Sequence, residues 1–200
     1  LRALSLEKIN SHDSTHTVYT DGSAGGDQTM GGAGLIVEDD SGNMISEMSF
    51  PAGLYCSSFG GECVAFLEAI RLIKANLDTE PQQSKVIVCT DSISLAQSMD
   101  KNSWKDSDHW IKEIKEELYD MTTDVTLLWI PSHCDIEGNE KADELARKGT
   151  EMRQEEVVVT HKIIKAKIRC RKWKIEHVRA KATYQARRSP VYEVEKQWPL

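Results

Sequence analysis

Four acids, Asp21, Glu62, Asp91 and Asp143, stand where regular structure starts or stops along this chain. Val18-Tyr19-Thr20-Asp21-Gly22-Ser23 reads as a strand that ends in an acid and a turn glycine. Val86-Ile87-Val88-Cys89-Thr90-Asp91-Ser92 repeats that pattern. Glu62 is placed in the first turn of a long helix and Asp143 in the first turn or so of the last. An isolated ionised acid at the buried end of a strand is costly to desolvate, so it either caps a turn or holds something positive. Unit charges ~4 Å apart repel by about 4 kcal/mol at a surface-like effective dielectric, so four converging carboxylates without a partner would shift their pKa values or push apart. Two Mg²⁺ ions, with Mn²⁺ as substitute, relieve this, since hard cations take oxygen ligands and Mg²⁺ leaves room for a phosphate. Two metals ~3.5–4 Å apart activate a water and stabilise the leaving oxygen of a phosphodiester. The acids are then ligands rather than proton carriers. His133, in a loop six residues before Asn139, is suited to moving a proton to the departing group or helping product leave. Asn139 and Asp143, four apart, share a helix face.

Each of these residues has a plainer reading when taken singly. Asp21-Gly22 is an ordinary turn signal, and Asp91-Ser92 suits a helix N-cap. Glu62 has no Ser or Thr three residues before it, which excludes a reciprocal capping box. Asp143 lies in a charged run with Glu140, Lys141, Glu144 and Arg147 and suits a solvated face. Their joint occurrence in one topological order outweighs these readings.

The elements that position them follow from periodicity. Strands are expected at about 17–20, 33–37 and 44–50, joined by short turns as an antiparallel meander. A loop at 51–58 precedes a helix at about 59–77 with the apolar stripe Val64, Phe66, Leu67, Ile70, Ile73 and Leu77. Val86–Cys89 and Val125–Ile130 are continuous apolar runs, as in strands buried on both faces. Helices are expected through Ser98, over 108–121 and over 139–148. A meander followed by β-α-β crossovers gives a mixed α/β sheet with helices on its faces.

Composition sets outer bounds. The 200 residues suit one domain plus an extension. No apolar run reaches the ~18 residues of a membrane helix, and no signal-peptide core opens the chain. Because the chain begins with leucine, it is expected to be part of a longer reading frame. Five cysteines, none in a Cys-x-x-Cys pair, argue against structural zinc and a disulfide framework. They point to a reducing, intracellular compartment, cytoplasm or nucleus. Residues 155–200 carry 12 Lys and Arg against 5 Asp and Glu, whereas the preceding body carries 13 against 27. An acidic body does not attract polyanions by its overall field, so metal or the basic tail must do so.

The runs Tyr19-Thr20-Asp21-Gly22-Ser23, Glu62, Cys89-Thr90-Asp91-Ser92, Trp129-Ile130-Pro131-Ser132-His133 and Gly138-Asn139-Glu140-x-Ala142-Asp143-x-Leu145-Ala146 together resemble the type I ribonuclease H domain. They are most like the versions in non-LTR retrotransposons and reverse-transcriptase polyproteins. The resemblance covers about residues 17–149. It implies a ribonuclease-H-like mixed five-stranded sheet, three antiparallel strands then parallel crossovers, with helices on both faces. The corresponding division is a linker at 1–15, the domain at 16–150 and a basic, helical C-terminal extension at 151–200. The implied activity is endonucleolytic hydrolysis of the RNA strand of an RNA–DNA hybrid, leaving 5′-phosphomonoesters. A catalytically silent nucleic-acid-binding or scaffolding module of a retroelement polyprotein is the alternative. Asp21, Glu62, Asp91 and Asp143 match the family's metal-binding acids, and His133 matches its flexible-loop histidine. Substrate contacts are expected from Ser23, Ser58, Ser92, Asn139 and Trp104. A reverse transcriptase domain upstream is the implied partner besides the hybrid, with no membrane involved. Two departures stand out. Ser58-Phe59-Gly60-Gly61 replaces a stretch where many members carry two asparagines, and no basic protrusion lies between Trp104 and Trp110, where Lys105 is the sole base.

Overall fold

Val86, Ile87 and Val88 are all buried, yet they serve two different cores. Val86 and Val88 pack with Val18, Leu35, Phe66, Ile70 and Ile114, whereas Ile87 packs with Tyr19, Ile36, Leu128, Ala142 and Leu145. Successive strand side chains point to opposite faces, so a strand covered on both sides reads as an unbroken apolar run. In the computed structural model the described residues are 1–25, 30–77, 84–100 and 109–154. All lie within one compact unit, Leu1–Val158.

The strands are β1 (His16–Ala24), β2 (Met30–Asp39), β3 (Met44–Leu54), β4 (Lys85–Thr90) and β5 (Asp124–Trp129). They form one sheet in the order β3-β2-β1-β4-β5. The β1–β2 and β2–β3 pairs are antiparallel, and β1–β4 and β4–β5 are parallel. The helices are α1 (Arg2–Asn10), α2 (Ser58–Asn76), α3 (Ile93–Asp100), α4 (His109–Tyr119) and α5 (Glu137–Glu151). Residues of α2, α3 and α4 pack in the first core, and residues of α1 and α5 in the second. The expected five-stranded mixed sheet with helices on both faces is therefore present.

Several boundaries differ from the sequence reading. The stretch expected as a linker holds α1, which buries only Ser5 and Ile9 and leaves Leu4 67% exposed. With no apolar stripe, that helix gives no periodic signal. β3 continues through Pro51 to Leu54 instead of ending in a loop. It is an edge strand, where a missing N–H is tolerated, and its register shifts at Gly31/Gly32. The expected basic C-terminal extension from residue 155 and Trp104 lie outside the described residues.

Candidate active site

Glycine contacts bring the helices close enough to the sheet to deliver their acids. A Cβ on Gly22 would lie 1.9 Å from the Glu62 amide nitrogen, and one on Gly61 would lie 3.1 Å from the Gly22 Cα. The first full turn of α2 is therefore in main-chain contact with β1 just past Asp21. On the other face, a Cβ on Gly34 would lie 2.3 Å from the Ala142 carbonyl oxygen. Gly34 is the register partner of Asp21, and directly opposed residues of an antiparallel pair share a face. Asp21 thus projects toward α5 where that helix carries Asp143.

The sheet opens at this place. β1 and β4 pair in parallel from His16↔Val86 up to Thr20↔Thr90 and no further. Asp21 and Asp91 are the first residues beyond the last rung. The sequence reading ended β1 at Asp21, but the strand runs on to Ala24 paired with β2 alone. What stops at the acid is the parallel half of its pairing, which leaves a fork between β1 and β4. Ligand sites in open α/β sheets gather beyond such strand ends.

Carboxylate oxygens of Asp21, Glu62 and Asp91 lie within 4.8 Å of one another. Asp143 joins them through a side-chain hydrogen bond with Asp21. Glu62 is the fifth residue of α2, whose N-cap is Ser57 with its Oγ accepting from the Gly60 N–H at 3.1 Å. It therefore lies in the second turn, not the first, and is 7% exposed. Asp143 likewise lies in the second turn of α5. Asp91 caps nothing: Ser92 Oγ accepts from the Leu95 N–H at 3.4 Å, and the Ser92 carbonyl accepts from the Ala96 N–H at 3.1 Å. The Asp91 carboxylate is left free for the fork, where Asn139 Nδ2 donates to its Oδ2 at 3.3 Å. Its main-chain carbonyl accepts from Trp129 Nε1 at 3.0 Å.

Burial and mutual repulsion make two of these acids harder to ionise. Asp21 is pushed well above the usual carboxylate range, first by desolvation and then by the charges of Asp91 and Asp143. Glu62 is pushed up further, again by desolvation first and then by Asp21 and Asp91. The Gly22 N–H donates to both carboxylates and opposes the rise. Glu62 Oε2 is buried without a hydrogen-bond partner, as is Asn139 Oδ1. Converging, desolvated carboxylates with an orphaned oxygen are the donor set a hard divalent cation accepts, and the residues present fit such an ion.

His133 is exposed in the loop before α5 with left-handed backbone, φ 51°, as has Asp135 at φ 56°. No described residue hydrogen-bonds its ring. Ser23 lies in β1 past Asp21, Ser58 is exposed as the first residue of α2, and Ser92 is half-buried at the start of α3. Trp104 lies outside the described residues. Gly22, Gly34 and Trp129 escaped the sequence reading as parts of the site. The glycines carry no side-chain signal, but their spacing beside the acids is the mark they leave.

A mixed sheet in this strand order, with acids beyond its first and fourth strands and on both flanking helices, defines a ribonuclease-H-like α/β domain. The RNase H family profile matches residues 13–151. The chain belongs to the RNase H family and is a nuclease of that family. Ribonuclease H of Rickettsia felis is 30% identical over 151 residues, covering 70% of this chain and 93% of the relative. Ribonuclease H of Francisella philomiragia is 31% identical over 144 residues, covering 65% and 87%. Among solved structures, LC11-RNase H1 in complex with RNA/DNA hybrid aligns with a TM-score of 0.58 at 22% identity, over 68% of this chain and 96% of that one. Prototype foamy virus protease–reverse transcriptase aligns at 0.57 and 23% identity, over 71% of this chain and 21% of that one. These two likenesses are of fold. Among the described residues no helix is long and apolar enough to cross a membrane.

Proposed function

We propose that this domain hydrolyses the RNA strand of RNA–DNA hybrids, cutting internally and leaving 5′-phosphomonoesters. The observation that carries the reading is the convergence of Asp21, Glu62, Asp91 and Asp143 at the fork between β1 and β4. Two divalent ions, Mg²⁺ by preference, would be held by these acids and would supply an activated water and stabilisation of the leaving oxygen. The chain's own groups do the rest. Asn139 fixes the Asp91 carboxylate through its 3.3 Å hydrogen bond. Trp129 fixes the Asp91 main chain. The Gly22 N–H aligns the Asp21 and Glu62 carboxylates toward one another. His133, exposed on its loop, would move a proton to the departing group or help the product leave. Ser23, Ser58 and Ser92 would offer hydroxyl groups to the hybrid.

The runs Trp129–His133 and Gly138–Ala146 support a retroelement origin, with a reverse transcriptase domain upstream, although the relatives named above are bacterial. The test is Mg²⁺-dependent cleavage of an end-labelled hybrid, with Asp91→Asn as control. Cleavage by the wild type and none by the variant is the expected result. A wild type that binds hybrid without cutting it in Mg²⁺ or Mn²⁺ would replace the nuclease reading with that of a silent module.

A further inference from the structure

Among the described residues, Asp143 is the one of the four acids paired with a cation. Arg147 Nη2 lies 2.5 Å from Asp143 Oδ2, one turn further along α5. Among the described residues, the leading influences on Asp21 and Glu62 are burial, neighbouring acids and the Gly22 amide, with no cation among them. The three acids whose oxygens lie within 4.8 Å of one another exclude Asp143, which instead stands between Asp21 on one side and Arg147 on the other. We infer that Arg147 is a competing counter-ion for Asp143, paired with it while metal is absent and released when the centre fills.

The inference rests on the two-ion reading above. An acid beside Asp21 in a metal-free centre faces the charge of neighbouring carboxylates, which a guanidinium offsets. Asp143 Oδ2, engaged by the guanidinium, is closed to direct metal ligation, and the neighbouring positive charge also disfavours a cation at Oδ1. The Arg147 side chain is 66% exposed and that of Asp143 23%, so water takes over the guanidinium cheaply on release. Exposed pairs of this kind are weak, and the i,i+4 order of acid before base is the favourable one. The device therefore tunes loading by a small factor rather than blocking it. It also divides loading into two stages. Asp21, Glu62 and Asp91 take an ion without displacing anything, whereas recruiting Asp143 displaces Arg147.

Calorimetric titration of the full chain with MnCl₂, without hybrid, tests this. Arg147→Ala is expected to bind Mn²⁺ about two- to fivefold tighter than the wild type. Arg147→Lys, which keeps the charge and loses the planar fork, is expected to fall between them. Lys148→Ala removes the same charge from an exposed neighbouring position and controls for long-range field. The gap between wild type and Arg147→Ala should close as NaCl is raised and the pair is screened. Equal affinities for Arg147→Ala and Lys148→Ala would overturn the inference while leaving the metal site standing. No Mn²⁺ binding by the wild type would overturn the two-ion reading itself, and the inference with it.

Discussion

Gly22 and Glu62 meet main chain to main chain, with a Cβ on Gly22 placed 1.9 Å from the Glu62 nitrogen. Nothing flexible stands there to give way, because the obstructing atoms are backbone. Gly22→Ala must push α2 away from β1 and carry Glu62 out of reach of Asp21. The expected outcome is a loss of about 1–3 kcal/mol of stability, read by urea denaturation, together with loss of hybrid cleavage. A Gly22→Ala protein that cuts at the wild-type rate would show that the contact positions nothing.

Asn139 donates to Asp91 Oδ2 while its own Oδ1 is buried without a partner. Groups that orient a ligand in this way typically contribute 10–100-fold in metal affinity or activity, as an order of magnitude. Asn139→Ala should therefore weaken Mn²⁺ binding by about 10-fold or more, measured by titration, with the far-ultraviolet circular dichroism unchanged. Asn139→Asp, which replaces a donor with another acid, should do no better.

The raised positions of Asp21 and Glu62 dictate how stability depends on pH. An acid that titrates higher folded than unfolded makes the folded chain bind more protons, so stability falls as pH rises. In the metal-free protein the loss should begin above about pH 4, where unfolded carboxylates ionise, and continue through neutrality. Divalent ions favour the ionised form, so the rise in melting temperature on adding Mg²⁺ should be larger at pH 8 than at pH 5.5. Glu62→Gln should flatten the metal-free profile and abolish the Mg²⁺ increment together. A metal-free stability that rises between pH 5.5 and 8 would contradict the assignment.

Residues 155–200 concentrate 12 Lys and Arg. Truncation after Gln154 should weaken hybrid binding and reduce the steepness of its salt dependence, since fewer counterions are released. Filter binding over a series of NaCl concentrations reads both. An unchanged slope would remove this stretch from the substrate surface.

Much of the site was legible because its acids sit against strong local signals. Val86–Cys89 announces β4, so Asp91 falls at a strand end in the sequence as in the structure. Asp21 was harder: Asp-Gly-Ser has the look of a turn, and only the pairing register shows that the strand loses one neighbour there and keeps the other. Glu62 was found in the right helix but one turn too early, because Ser57 rather than a later residue is the cap. The contributions of Gly22, Gly34 and Gly61 were invisible, since what they supply is the absence of a side chain against a distant backbone. Helix α1 was missed because it lays Leu4 outward and has no stripe to detect.

The four carboxylates arrive from β1, α2, the end of β4 and α5, the last described element. A growing polypeptide consequently cannot assemble the proposed centre until Asp143 has left the ribosome and α5 has docked on β2. During synthesis the strands already folded are harmless to the message being translated and to any hybrid nearby. On the proposed reading, nuclease competence is thus acquired in one step, when β1, α2, β4 and α5 are all in place.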